Sequence, residues 1–218
     1  MKSTMIALAF LFSCQSFAGP DLSIHVLELT NASSEDETRI EKALELLDAV
    51  VNSDDFQQRI LTMSYVVKKK TYQGFSQTSH TKESVLQNIL EAKENFRGGT
   101  TGVIDLFMDM YQEENSTIGW TAPTDRFFHM NRFHHQDYSP ARTAGNILHE
   151  WLHKIDYDHE GKSDNPFREH SVPYKLGYTM AELAAELESG GDPLLKELLH
   201  QQLRDGLEEN CVHEGSKP

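Results

Sequence analysis

The stretch His149-Glu150-Trp151-Leu152-His153-Lys154-Ile155-Asp156-Tyr157-Asp158-His159 sets two histidines one helical turn apart, a glutamate beside the first and a third histidine just beyond. On a helix, residues i and i+4 share a face with Cβ atoms roughly 6 Å apart, so His149 and His153 can both reach one cation at about 2.0–2.1 Å. Glu150 then stands beside the metal without binding it, which is the layout of a zinc site that carries its own general base. A continuing helix would put Asp156 on the same face but about 10 Å further along the axis, too far for one tetrahedral centre. The chain must therefore turn. Asp156 is the expected place, because aspartate is among the few non-glycine residues that tolerate the left-handed conformation ending many helices. His159, three residues later, can then swing back to the metal.

This pattern resembles HExxHxxGxxH, the mark of the metzincin class of zinc endopeptidases, at His149, Glu150, His153 and His159, with Asp156 where the family has glycine. The resemblance implies an α+β, zincin-like fold: a twisted mixed sheet with helices over an active-site cleft, and a smaller helical C-terminal lobe. It implies one catalytic Zn2+ and a protein or peptide substrate bound in extended form. It also implies a tight turn beneath the metal, SxMxY in several subgroups. Ser171-Val172-Pro173-Tyr174 matches this in part, which makes Tyr174 a candidate at the metal, with Tyr178 as its alternative and Met180 as the methionine beneath. Glu160 follows the third histidine as it does in the astacin subgroup, but no other astacin feature is present and the subfamily stays unassigned. A different zinc-peptidase layout takes its third ligand from a glutamate on a later helix, for which Glu182 is the candidate. His134, His135 and His170 read as loop histidines rather than ligands.

Three neutral imidazoles would leave zinc its full charge and an open position for water, whose pKa falls to about 7. Glu150 is the expected base for that water and the donor to the departing amine. Two other readings are a zinc-binding protein without catalysis, acting as carrier or binding module, and a zinc hydrolase of a non-peptide bond. The first gives no use to an unligated carboxylate at Glu150.

The N-terminus carries Lys2, the apolar run Met5 to Phe12, and small residues at Ser16 and Ala18 before Gly19-Pro20. This predicts a signal peptide over 1–18, cleaved after Ala18, and a secreted or periplasmic protein. Leu11-Phe12-Ser13-Cys14 reads alternatively as a lipoprotein signal, with Cys14 as a lipid anchor. Soluble export leaves Cys211 as the remaining cysteine, so stability must come from a core rather than from disulfides. Residues 19–218 are expected to form a single, monomeric metallopeptidase domain, with an upper lobe to about 159 and a lower lobe over about 160–218. A formal charge of −14 argues against nucleic acid and anionic membrane as partners. No transmembrane helix is expected.

Along the chain, Ile24 to Leu29 reads as a strand. Ser34 and Glu37 have capping-box spacing ahead of an amphipathic helix carrying Ile40, Ala43, Leu44, Leu47, Val50 and Val51. Ser64 to Val67 reads as a strand running into a basic tip at Lys68-Lys69-Lys70, and Thr81 to Asn95 as a helix. A buried strand is expected with Ile104, Leu106, Met108 and Met110 on one face and Val103, Asp105, Phe107 and Asp109 on the other. After a turn at Glu113 to Ser116, Thr117 to Thr121 and Arg126 to Phe133 read as a paired or bent strand broken by Pro123. Within it, Phe127 to Phe133 corresponds to the strand that pairs with substrate at the upper rim in the zinc peptidases this chain resembles. Ser139-Pro140 has N-cap and first-turn character ahead of a buried helix that ends at the histidines. Beyond the site, Gly161 to Asn165 reads as a loop, Thr179 to Leu187 as a helix, and Asp192-Pro193 as the cap of a last, leucine-rich helix.

Overall fold

The computed structural model describes residues 22–67, 69–71, 74–76, 81–92, 94, 102–159, 168–201 and 203. The segment expected as a signal peptide, Cys14, Cys211, Lys68, Glu160 and the expected loop over 161–165 lie outside these. Among the described residues no helix is long and apolar enough to cross a membrane.

The fold is mixed α and β, organised on a four-stranded mixed sheet. β1 (Ser23–Thr30) pairs in parallel with β4 (Val103–Tyr111), which pairs in parallel with β6 (Phe128–Asn131). β5 (Gly119–Trp120) closes the far edge, antiparallel to β6, giving the order β1-β4-β6-β5. The alternation of β4 sends Ile104, Leu106, Met108 and Met110 into the core, where Phe128 and Met130 of β6 join them. Its other face holds Asp105 and Phe107, also buried, and Asp109, which is partly exposed.

Helix α1 (Ser34–Val51) lays Ile40, Ala43, Leu47, Val50 and Val51 into that core. Its cap is Ser33, not Ser34: the Ser33 hydroxyl accepts from the Asp36 N–H, and the Asp36 carboxylate accepts from the Ser33 N–H at 2.9 Å. Tertiary structure selects this register, because Asp36 also accepts from Arg132 Nε at 2.7 Å across the molecule. Burial works to raise the Asp36 pKa, but the Ser33 hydrogen bonds and Arg132 outweigh it and hold it below the ordinary value.

Helix α2 (Asp54–Thr62) is an addition to the sequence reading. Ser53 caps it, and Phe56 and Ile60, four apart, supply its buried face. The strand expected over Ser64 to Val67 is reduced to a single parallel bridge between Val66 and Ser171. The pairing begins instead at β2 (Lys69–Thr71), a short hairpin partner of β3 (Gly74–Ser76). Helix α3 (Lys82–Glu91) starts at the Thr81 cap and ends at Ala92, φ +46°, three residues before the expected Asn95.

The expected rim strand needs correction. Phe127 to Phe133 does not form an edge, since β6 lies between β4 and β5, and from Arg132 the chain is already the short helix α4 (Arg132–His135). The edge belongs to β5, a position that the sequence reading treated as half of a bent strand. Buried Asn131 holds the approach to β5: its Nδ2 donates to the Glu113 and Thr117 carbonyls at 2.8 and 2.9 Å, and its Oδ1 accepts from the Glu113 N–H at 3.1 Å.

Helices α5 (Pro140–Lys154) and α6 (Val172–Glu188) complete the core and meet backbone to backbone. A Cβ at Gly145 would stand 2.5 Å from the Gly177 carbonyl oxygen and 2.7 Å from Ala181 Cβ, so only glycine lets the two axes come this close. Residues 193–201 are helical, with Asp192 Oδ1 accepting from the Leu194 and Leu195 N–H groups at 2.9 and 3.2 Å and Leu199 buried.

Candidate metal centre

Ser139 caps α5 by accepting from the Arg142 N–H, and Pro140 fits the first turn, where no N–H is needed. The helix is buried around most of its circumference, including Ala144, Ile147, Leu148, Trp151 and Leu152, so its rotation is fixed. That rotation aims His149, Glu150 and His153 into a cleft of about 360 Å3.

The helix then stops as the turn chemistry requires. Asp156 is left-handed at φ +74°, the Asp156 N–H donates to the His153 carbonyl at 3.2 Å, and the Tyr157 N–H donates to the Leu152 carbonyl at 3.1 Å. This is the Schellman pattern, which satisfies helix-end carbonyls while reversing the chain. Tyr157 is buried against the core and its hydroxyl accepts from Asn88 Nδ2 at 2.9 Å, which ties the turn to α3. The reversal brings His159 back over the helix. One nitrogen from each of His149, His153 and His159 lies within 4.8 Å of the others, and the ring centroids are 5.0–5.2 Å apart.

The electrostatics suit a cation held by neutral imidazoles. Burial, then the neighbouring histidines and Arg168, hold the pKa of His149 well below the ordinary value, and burial, His153 and Arg168 do the same for His159. His153 Nδ1 lies 2.7 Å from the Tyr157 carbonyl oxygen, so that nitrogen carries a proton and Nε2 is the nitrogen that could face a metal. The donor set is therefore three imidazole nitrogens brought together by a turn, and it fits a divalent metal ion of borderline softness.

Glu150 is buried at 4% exposure, and its Oε2 has no hydrogen-bond partner. Burial alone pushes its pKa up to about 8. β5 runs directly against it: a Cβ at Gly119 would stand 2.9 Å from Glu150 Oε1, so glycine is what gives the carboxylate room. An unpartnered buried carboxylate costs stability, and a catalytic role or a bound cation would account for its retention.

Ser171 to Tyr174 is not a tight turn. Ser171 precedes α6 and Val172, Pro173 and Tyr174 are its first residues, since Pro173 serves the first turn of a helix and no glycine is present to reverse the chain. Tyr174 nevertheless reaches the cluster, its ring centroid 4.6 Å from that of His149 and 4.8 Å from that of His159, with Tyr178 behind it at 5.7 Å. Met180 is fully buried in the core and does not line the cleft. Glu182 lines the cleft from an exposed position where Arg59 pairs with it at 3.3 Å, and it is not part of the histidine cluster.

His134 Nε2 lies 2.6 Å from the Asn115 carbonyl oxygen, and His170 is exposed. His135, expected in a loop, is instead buried in α4 with both ring nitrogens unpartnered, and burial drives its pKa down to about 3. The sequence reading also missed Gly119, Trp120, Arg142, Asn146 and His200 in the cleft wall. Arg142 and Asn146 were within reach of helical arithmetic, standing seven and three residues before His149 on the same face. The chain matches no protein-family model, no curated protein and no solved structure.

Proposed function

We propose that this chain is an exported, zinc-dependent endopeptidase of metzincin-like architecture, with His149, His153 and His159 as the metal ligands and Glu150 as general base. The observation that carries the reading is the buried Glu150 carboxyl group, its Oε2 without a hydrogen-bond partner, beside three convergent imidazoles in one cleft. A mixed α and β fold, with a four-stranded sheet followed by α5 and α6, supports the reading at the level of fold class.

Zinc in that site supplies a Lewis acid and an acidified water. The remaining work belongs to the chain. Glu150 takes the proton of the attacking water on its carboxylate and returns it to the departing amine nitrogen. His153, its Nδ1 proton held by the Tyr157 carbonyl, keeps one tautomer and one ring orientation. Tyr174, its ring 4.6 Å from that of His149, would donate its phenolic proton to the oxygen that gains negative charge. β5 offers the free edge along which an extended peptide can add as a further strand, and Gly119 brings that edge against Glu150.

Glu150→Gln keeps the side chain's size and removes the base. Zinc content and melting temperature should stay near wild type, while hydrolysis of a mixed set of denatured proteins falls by roughly 10²–10⁴-fold. In parallel, His159→Ala should lose zinc and Glu182→Ala should keep it. Cleavage that survived in the zinc-loaded Glu150→Gln protein, or a wild type that hydrolysed no peptide bond, would overturn the proposal.

A further inference from the structure

Arg142 differs from four other arginines of this acidic chain, each of which has a carboxylate partner. Arg39 and Arg132 pair with Asp36, Arg59 with Asp55 and Glu182, and Arg126 with Glu28. Arg142 pairs with no carboxylate among the described residues. Its guanidinium instead lies over the Tyr138 ring, 3.5 Å from the centroid, and both residues line the cleft. Behind Tyr138 packs the neutral, buried ring of His135, with centroids 4.9 Å apart. The guanidinium thus rests over its aromatic support, and among the described residues its hydrogen-bonding edge meets no anion.

Its place along α5 matters as much as its charge. Arg142, Asn146 and His149 follow one another on the face that lines the cleft, and seven residues of helix separate Arg142 from His149 by about 10 Å along the axis. Asn146 Nδ2, between them, and His200 Nε2, on the C-terminal helix, are buried without partners and line the same cleft. A side-chain carboxylate one residue from the bond under attack extends roughly that far from the reacting carbonyl. Glu182, an acidic residue of the cleft lining, is already paired with Arg59.

We infer that Arg142 is the seat of a substrate carboxylate, so that the cleft selects an acidic side chain, or a chain-terminal carboxylate, next to the metal-binding position. The inference rests on the proposed function for its register relative to the metal, but not for the carboxylate seat itself.

Two measurements on the full chain separate these. Metal-free protein is titrated with acetyl-glutamate amide and with acetyl-glutamine amide while the Arg142 Nε–H resonance is followed. A saturable shift with the glutamate compound, at least about tenfold tighter than with glutamine and weakened by salt, is the expected result. Zinc-loaded protein is then given three hydroxamate peptides: glutamate beside the hydroxamate with an amidated end, leucine with an amidated end, and leucine with a free terminal carboxylate. Calorimetry should rank one of the carboxylate compounds about tenfold above the amidated leucine compound, and which one identifies the source of the carboxylate. Arg142→Gln should bring that ratio toward one and Arg142→Lys should restore part of it, with melting temperature and zinc content confirming that each variant is folded. Failure to bind zinc would sink the peptidase reading alone. Equal binding of glutamate and glutamine compounds in the first measurement would overturn the carboxylate seat.

Discussion

At φ +74° Asp156 holds a conformation that costs an L-residue roughly 1–2 kcal/mol, and the return of His159 to the other two histidines depends on it. Asp156→Gly should relieve the strain but loosen the unfolded chain, for a net gain of about 0.5 kcal/mol in chemical denaturation with zinc content unchanged. Asp156→Val should be clearly less stable than wild type. Loss of zinc in the glycine variant would show that the Asp156 carboxylate orients a ligand. His135 makes a second prediction at this scale. Its folded pKa lies near 3, pushed down first by burial and then by Arg142, His134 and Arg39, with Asp36 opposing. Between about pH 6.5 and 3 the unfolded chain takes up a proton that the folded chain refuses, so this residue's contribution is complete above pH 6.5 and is lost as pH falls through that window. In metal-free protein, denaturation at pH 7 and pH 5 should show wild type losing about 2 kcal/mol more than His135→Leu. Equal losses would mean that His135 is not buried in the neutral form.

Elements set the distances between these residues. Helices α5 and α6 touch through Gly145 and Gly177, and the same packing carries Tyr174 against the histidines with Tyr178 behind it. Helix propensity alone favours alanine over glycine by about 1 kcal/mol. Overpacking against a backbone carbonyl costs about 1–3 kcal/mol, more than propensity returns. Gly145→Ala should therefore be destabilised by roughly 1–2 kcal/mol, seen as a lower denaturation midpoint at unchanged slope. A stabilised Gly145→Ala protein would show that the helices are not in contact there. The sequence displayed both helices differently. Apolar spacing and the Ser139-Pro140 start made α5 legible from end to end, whereas α6 was read only from Thr179. In the sequence its first turn resembles a metal-site turn, because Ser171 and Tyr174 carry part of that pattern. Proline at its second residue is equally a helix-start signal, and the packing of Val172 and Leu176 into the core decided between the two.

The three histidines come from the end of α5 and from beyond the turn that closes it, and Tyr157 of that turn is fastened to α3. Zinc should therefore bind the folded chain and not the unfolded one, and raise stability by about 2.7 kcal/mol at a free concentration one hundred times its Kd. Removal of the metal by a chelator should lower the melting temperature by several degrees in wild type and leave His159→Ala unmoved. An identical response in the two proteins would place the metal elsewhere. At this scale the sequence alone determined what short-range rules govern: the ligand spacing on α5, the left-handed exit at Asp156, the cap at Ser139 and the inward face of β4. Each follows from a helical or strand period, or from a residue's own φ preference, with no knowledge of distant neighbours. Tertiary structure decided which strand is the free edge, which serine caps α1, that His135 is buried, and that Gly119 makes room for Glu150. Those outcomes depend on what lies across the molecule from each residue, and strand order, like a partner such as Arg132 for Asp36, leaves no period in the chain.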